Sequence, residues 1–176
     1  MAPADALIDT GAILALLDST DRWHRVCKEA FSQLRIPLLT SEAVLTELFH
    51  LFGNSRARME TAWGLLRSGA IVVGAIQDSE MQNVRALMFR LWDRPMDFAD
   101  ATLVFLAERE SIDLVLTVDR ADFQTYRIAG KCRLSGPNCV YAIFVETNDP
   151  YSRNFCRLIA TGREQSALSD CRAVCN

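Results

Sequence analysis

The sequence predicts an α/β fold, a three-layer sandwich in which a short, mainly parallel central sheet is flanked by helices. Short apolar segments, several of them rich in β-branched residues, alternate with longer segments of helical periodicity, which is typical of strand–helix units. Residues 112–118 lack a polar face, as expected of a parallel strand covered on both sides. Half of the 176 residues are hydrophobic, which suffices for one sizeable core.

Local signals predict each element in turn. Residues 6–8 form a short buried strand, and Asp9, Thr10 and Gly11 make a tight turn into the first helix. Ser41 is a typical N-cap for a later helix. The other predicted elements are a helix over 23–34, a strand over 37–40, helices over 42–52 and 55–67, a strand over 70–73, helices over 79–94 and 98–110, and the strand over 112–118.

The chain changes character after residue 133. We expect residues 1–133 to form the main domain and 134–176 to form a C-terminal extension of unknown role, with 140–146 as a candidate last strand. Five of the six cysteines lie from residue 132 onward. None forms a C-x-x-C pair, so the sequence gives little indication of a zinc site.

Charge and hydropathy narrow the possible partners. The formal net charge of -3 provides no global basic field, so nucleic-acid binding requires a local patch. No apolar run reaches the roughly 18–20 residues that span a bilayer, and the N-terminus lacks the basic segment of a signal peptide. We therefore expect a cytoplasmic protein without membrane contact, with its cysteines reduced.

Four acidic residues stand where the predicted fold brings side chains together. Asp9 and Asp119 each follow a buried strand, and open α/β sheets bind ligands at the carboxyl ends of their strands. Glu47 lies in mid-helix with no lysine or arginine three or four residues away to pair with it. Asp100 lies in the first turn of its helix, three residues after Asp97.

Clustered carboxylates repel one another unless a cation compensates them, and Mg²⁺ and Mn²⁺ prefer oxygen ligands. Such an ion lowers the pKa of a bound water and neutralises charge on a phosphate, which are the two requirements of phosphodiester hydrolysis. Simpler interpretations remain open for all four acids, and Glu47 is the hardest to explain in that way, because buried acids are rarely unpaired. Asp9 is also a suitable N-cap, Asp100 also favours the helix dipole, and Asp119 also suits a turn.

The order of these acids resembles that of the PIN-domain ribonucleases, and especially of VapC-like toxins from bacterial toxin–antitoxin pairs. Four segments carry the resemblance, in order along residues 5–133: Leu-Ile-Asp-Thr-Gly-Ala at 7–12, Ser-Glu-Ala-Val-Leu-Thr-Glu-Leu at 41–48, Asp-Phe-Ala-Asp-Ala-Thr-Leu at 97–103 and Thr-Val-Asp-Arg-Ala-Asp-Phe at 117–123. Each segment alone is weakly specific. Residues 134–176 depart from the pattern, because these toxins usually end before them.

The resemblance implies a site for Mg²⁺ or Mn²⁺ and assigns residues to it. The implied catalytic residues are Asp9, Glu47, Asp100 and Asp119. Of these, Asp9, Asp100 and Asp119 are the implied metal ligands, with Glu47 as an additional ligand or a base. Four neighbours are expected to support them: Thr10, Thr117, Asp97 and Asp122. Thr117 would orient a metal-bound water or the Asp119 carboxylate.

The same resemblance implies endoribonuclease activity on structured RNA such as tRNA or rRNA, a homodimer, and inhibition by a cognate antitoxin protein. Arg56, Arg58 and Arg120 are candidate phosphate-binding residues, with an ordinary solvated surface as the alternative. Aromatic and aliphatic residues of the third and fourth helices form a candidate groove for a partner helix, with ordinary core packing as the alternative: Phe49, Leu51, Phe52 and Trp63.

Two other functions fit parts of the pattern. A non-catalytic PIN-like module that binds RNA in a processing assembly is one, although all four acids are present here. A haloacid-dehalogenase-like phosphatase also begins with an aspartate after a strand. That family needs a second aspartate two positions later, and this chain has Gly11 there.

Overall fold

The computed structural model describes residues 4–90, 96–112, 114–118 and 141–144. Within these residues five strands form one sheet in the order β3-β2-β1-β4-β5, and every pairing in it is parallel. The strands are β1 (Leu7–Ile8), β2 (Leu38–Ser41), β3 (Ile71–Gly74), β4 (Leu114–Thr117) and β5 (Tyr141–Phe144). The predicted α/β class with a short parallel central sheet is confirmed.

Six helices are described along the same residues. They are α1 (Thr10–Leu17), α2 (His24–Gln33), α3 (Glu42–Phe52), α4 (Arg56–Arg67), α5 (Met81–Arg90) and α6 (Phe98–Glu110). Helix α1 begins at Thr10, so no separate turn follows β1. Asp9 is itself the N-cap, and the chain passes directly from strand to helix. No helix among the described residues combines the length and apolar character needed to cross a membrane.

Strand β1 lies in the middle of the sheet, between β2 and β4. Leu7 pairs with both Leu39 and Val115, and the Asp9 N–H donates to the Leu116 carbonyl 3.1 Å away. The chain moves from β1 to β2 and β3 on one side, whereas β4 and β5 lie on the other. The boundary between the paired strands β1 and β4 is therefore the switch point of the sheet. In α/β proteins the ligand crevice lies at the carboxyl ends of the strands at this point.

Helix α6 lies in the interior of the protein. Its residues 101–107 are all buried, because one side packs on the main core around β1 and another packs on α5. A helix that is apolar around most of its circumference requires cover on several sides. Its N-cap, Asp97, accepts a hydrogen bond from the Asp100 N–H at 2.8 Å. The first turn of this buried helix thus places Asp100 in a fixed position.

The structure corrects one predicted boundary, the start of α5, and leaves another, the domain division at residue 133, untested. The helix predicted from residue 79 begins at Met81, after a 3-10 turn over Asp78–Glu80 in which Glu80 accepts the Gln77 N–H at 2.8 Å. The division at residue 133 stays a prediction, since most of 134–176 lies outside the described residues. The described segment there, Tyr141–Phe144, adds β5 to the sheet beside β4.

Candidate active site

Asp9 is held at the switch point by hydrogen bonds to both carboxylate oxygens. Its Oδ1 accepts the Ala12 N–H at 2.7 Å, and its Oδ2 accepts the hydroxyl of Thr117 at the end of β4. Asp9 is only 6% exposed. Asp9 is therefore the N-cap of α1, as the simpler interpretation expects. This role does not exclude a ligand, because each carboxylate oxygen has a second lone pair.

Glu47 is joined to the start of α1 through Thr10. The Thr10 hydroxyl donates to Glu47 Oε2 at 2.6 Å, and Thr10 itself is 7% exposed. Glu47 is half-buried. Asp9 and Thr10 are consecutive, so one strand–helix junction fixes one acid directly and holds the second through a hydroxyl.

A buried hydroxyl relay connects α3 with α6. The Val44 N–H donates to Ser41 Oγ at 3.1 Å, and the Thr102 hydroxyl donates to the Ala99 carbonyl at 2.6 Å. Because Thr102 uses its only proton there, Ser41 must donate across the 2.7 Å separation between their hydroxyl oxygens. The relay fixes the helix that carries Glu47 against the first turns of the helix that carries Asp100.

Thr102 is a residue of this site that sequence reasoning missed. Ser41 was recognised only as a cap, and Thr102 only as part of a motif. The available signal was a single hydroxyl within the apolar run of α6, where a buried polar group requires a partner.

Gly11 allows the close approach of α1 to the end of β4. A Cβ atom at this position would lie 2.6 Å from Val118 Cγ2 and within 4 Å of both carboxylate oxygens of Asp9. Val118 follows Thr117, which donates to Asp9. The absence of a side chain at Gly11 therefore leaves room for the end of β4 beside the start of α1.

Cys27 of α2 is fully buried near the site. Burial raises the pKa of its thiol to about 12, with further contributions from the negative charges of Asp9 and Asp21. The thiol therefore stays neutral at physiological pH. A neutral, inaccessible thiol is neither a nucleophile nor a metal ligand, so Cys27 is part of the packing around the site.

The structure describes two of the three predicted phosphate-binding arginines, Arg56 and Arg58. Arg56 is exposed in the first turn of α4. Arg58 pairs with Asp18 at 2.9 Å. The side-chain hydrogen bond from Thr20 is the main cause that lowers the pKa of the Asp18 carboxyl, and Arg58 contributes less. The remaining predicted site residues, Asp119, Arg120 and Asp122, lie outside the described residues.

The candidate groove on α3 and α4 divides into core and surface. Phe52 is buried in the main core, as the alternative interpretation expects. Leu51 and Trp63 are 51% and 49% exposed. The rings of Phe49 and Trp63 lie 5.2 Å apart between centroids, and this apolar pair is here called the α3–α4 patch. Leu51 lies two residues after Phe49 and therefore on another side of α3.

The predicted metal site can be tested on the chemistry of its donors. In the described part of the chain, no group of three or more His, Cys, Asp or Glu is arranged to hold a metal. The predicted set also includes Asp119, which lies outside that part. The described candidate donors, Asp9, Glu47 and Asp100, are all carboxylates, which fits Mg²⁺ or Mn²⁺ rather than a soft metal.

The parallel sheet and the acidic switch point define a protein of the PIN-domain class. A family model described as PIN domain matches residues 6–129, and the chain belongs to this family. Ribonuclease VapC26 of Mycobacterium tuberculosis (strain ATCC 25618 / H37Rv) is 28% identical over 132 residues, which cover 73% of this chain and 97% of VapC26. The predicted resemblance to VapC-like PIN ribonucleases is confirmed.

A solved structure shares the fold. The crystal structure of Mycobacterium tuberculosis VapC20, described as a sarcin–ricin-loop-cleaving toxin, aligns with a TM-score of 0.55 at 20% sequence identity. The alignment covers 62% of this chain and 86% of the VapC20 chain.

Proposed function

We propose that this protein is a metal-dependent endoribonuclease that hydrolyses phosphodiester bonds in structured RNA, such as tRNA or rRNA, as the toxin of a toxin–antitoxin pair. The observation that carries the proposal is the buried Asp9 carboxylate at the β1–β4 switch point, with Glu47 tied to the adjacent residue. Membership of the PIN family and the similarity to ribonuclease VapC26 support an RNA substrate.

The four acids divide between two roles in the proposed mechanism. Asp9, Asp100 and Asp119 would hold a Mg²⁺ or Mn²⁺ ion, and Glu47 would act as a further ligand or as the base that takes a proton from water. When bound, the ion supplies charge neutralisation at the phosphate and a more acidic water. The chain supplies preorganisation, because Ala12 and Thr117 fix the carboxylate of Asp9 and Thr10 fixes that of Glu47.

The α3–α4 patch is the surface that we assign to the antitoxin. A segment with apolar side chains would cover the paired rings of Phe49 and Trp63, since adjacent large apolar residues at the surface mark an interaction site. Homodimerisation and a cytoplasmic location are proposed with this function.

RNA cleavage by partner-free protein tests the proposal. Purified tRNA and rRNA are incubated with the parent chain and with Asp9→Asn, in Mn²⁺ or in EDTA. Glu29→Gln is the matched control, because Glu29 is an exposed acid on α2 that pairs only with Arg25 among the described residues. We expect fragments from the parent and the control in Mn²⁺, and none from Asp9→Asn or in EDTA.

Equal cleavage by Asp9→Asn and the parent would contradict the proposal. RNA binding by the parent without cleavage of any pool would instead favour the non-catalytic binding module.

A further inference from the structure

Thr10 occupies an unusual position between two predicted catalytic acids. It directly follows Asp9, begins α1 and is almost completely buried. Its hydroxyl oxygen lies 2.6 Å from Glu47 Oε2 and 3.4 Å from the Val44 carbonyl. A hydroxyl has one proton to donate. The carboxylate oxygen of Glu47 is closer than the Val44 carbonyl oxygen, and as a charged group it is the stronger acceptor. The proton therefore goes to Glu47.

The two oxygens of Glu47 are not equivalent as a result. Oε2 accepts from Thr10, whereas no hydrogen bond to Oε1 occurs within the described residues. A glutamate has several rotatable bonds, and fixing one oxygen removes most of that freedom before any ligand arrives. Among the described residues, Oε1 is therefore the oxygen of Glu47 with both lone pairs left for a ligand or a proton.

We propose that Thr10 is a positioning residue that acts through Glu47. Its hydroxyl fixes Oε2 so that Oε1 is presented to the metal or to the water proton, and it sets the separation between the Glu47 and Asp9 carboxylates. This inference rests on the proposed function of the same site. It adds that the threonine after Asp9 is required for its hydroxyl rather than as a residue that merely starts a helix.

The junction between β1 and α1 explains why the separation matters. The backbone of residues 9 and 10 is rigid, because the Asp9 N–H bonds to Leu116 and Asp9 caps the helix. Glu47 is thereby held to the same junction as Asp9, in addition to its place on α3. Ligands that must meet one ion benefit from such coupling, since hydrogen bonds to the ligating groups orient them.

Three variants separate the hydroxyl from the shape of the side chain. Thr10→Val keeps the branched shape and removes the donor, whereas Thr10→Ser keeps the donor. Thr46→Val is the matched control, because Thr46 is an exposed α3 residue whose hydroxyl bonds only to the Glu42 carbonyl among the described residues. Thr10→Val should lower kcat for RNA cleavage by roughly 10- to 100-fold with little change in KM. Thr10→Ser should restore most of the rate, and Thr46→Val should match the parent.

A double-mutant cycle shows whether Thr10 acts through Glu47. The Thr10→Val substitution is made in the parent and in Glu47→Ala, and Mn²⁺ affinity is measured by calorimetric titration alongside the thermal midpoint in EDTA. We expect Thr10→Val to weaken Mn²⁺ binding and to lower the midpoint in the parent, with both effects largely absent in Glu47→Ala.

Equal losses from Thr10→Val in both backgrounds, or no loss in the parent, would overturn the inference. Neither the Mn²⁺ titration nor the thermal midpoint depends on RNA cleavage. If the parent cleaves no RNA, the proposed function fails, and these two measurements still decide whether Thr10 positions Glu47.

Discussion

Asp9 has a structural task as well as the proposed chemical one, so the choice of substitution matters. Its side chain caps α1 through the Ala12 N–H. Asn is as good an N-cap as Asp, whereas replacement by Ala costs about 0.5–2 kcal/mol. We predict that both Asp9→Asn and Asp9→Ala lose metal-dependent cleavage, but that urea unfolds Asp9→Ala at a lower concentration. A loss of cleavage in Asp9→Ala alone would show that the cap, and not the charge, is needed.

Gly11 is required by the close approach of Val118. A Cβ atom 2.6 Å from Val118 Cγ2 forces that side chain, or the end of β4, to move. We predict that Gly11→Ala destabilises the protein by about 1–3 kcal/mol, the usual cost of overpacking, and weakens the link between Thr117 and Asp9. Gly64→Ala in α4 is the matched control, since nothing lies within 4 Å of its added Cβ. Thermal unfolding of both variants checks the difference, and equal midpoints would argue against the steric explanation.

Single residues show how far the sequence alone reached at this site. The strand before Asp9 and the absence of an ion-pair partner for Glu47 select both acids from the sequence, and their catalytic role stays a prediction. The bond from Thr10 to Glu47 joins residues 37 positions apart, and the direction of a hydroxyl depends on the packing of α1 against α3. No local pattern encodes that packing, so the hydrogen bond appears only in the structure.

At the scale of elements, the Ser41–Thr102 contact links α3 to α6. Thr102→Val removes the acceptor of the Ser41 proton and leaves a buried hydroxyl unsatisfied, which costs about 1–3 kcal/mol. We predict a destabilisation of this size by urea unfolding, together with slower RNA cleavage because Glu47 and Asp100 are carried by these two helices. Thr46→Val on the exposed face of α3 should unfold like the parent. A parent-like Thr102→Val would mean that the relay contributes nothing.

The same two helices were predicted with correct bounds, whereas α5 was not. Ser41 and Asp97 are N-caps whose side chains accept hydrogen bonds in the structure, so their local signals were sufficient. Ser79 resembled a cap equally well. The competing Gln77–Glu80 hydrogen bond forms a 3-10 turn first and moves the helix start to Met81.

For the whole molecule, the buried Cys27 thiol lowers the free energy of unfolding as the pH becomes alkaline. Its pKa rises from 9.0 to about 12 on folding. The folded state therefore keeps a proton that the unfolded state releases above pH 9, and stability falls as pH rises from there toward 12, by at most about 1.4 kcal/mol per unit. We predict that Cys27→Ala has a shallower decline between pH 9 and 11 than the parent. Parallel declines would show that the thiol is not protected.

Strand order is the property of the whole molecule that the sequence left open. The apolar pattern indicated parallel strands but not that β1 lies between β2 and β4. That order brings Asp9 beside Thr117, and it depends on which helices cover which face of the sheet. Long-range packing determines it, rather than any segment alone.

This order also leads to a prediction about metal and global stability. The proposed ligands come from β1, α3, α6 and the chain after β4, so an ion that binds them favours the assembled fold over the unfolded chain. Binding of this kind stabilises a protein by about 2.7 kcal/mol when the free ion is at a hundred times its Kd. We predict that Mn²⁺ or Mg²⁺ raises the thermal midpoint of the parent and of Glu29→Gln, that EDTA reverses the increase, and that Asp9→Asn shows almost none. An equal increase in Asp9→Asn would place the ion elsewhere, because Asp9 contributes the central carboxylate of the proposed set.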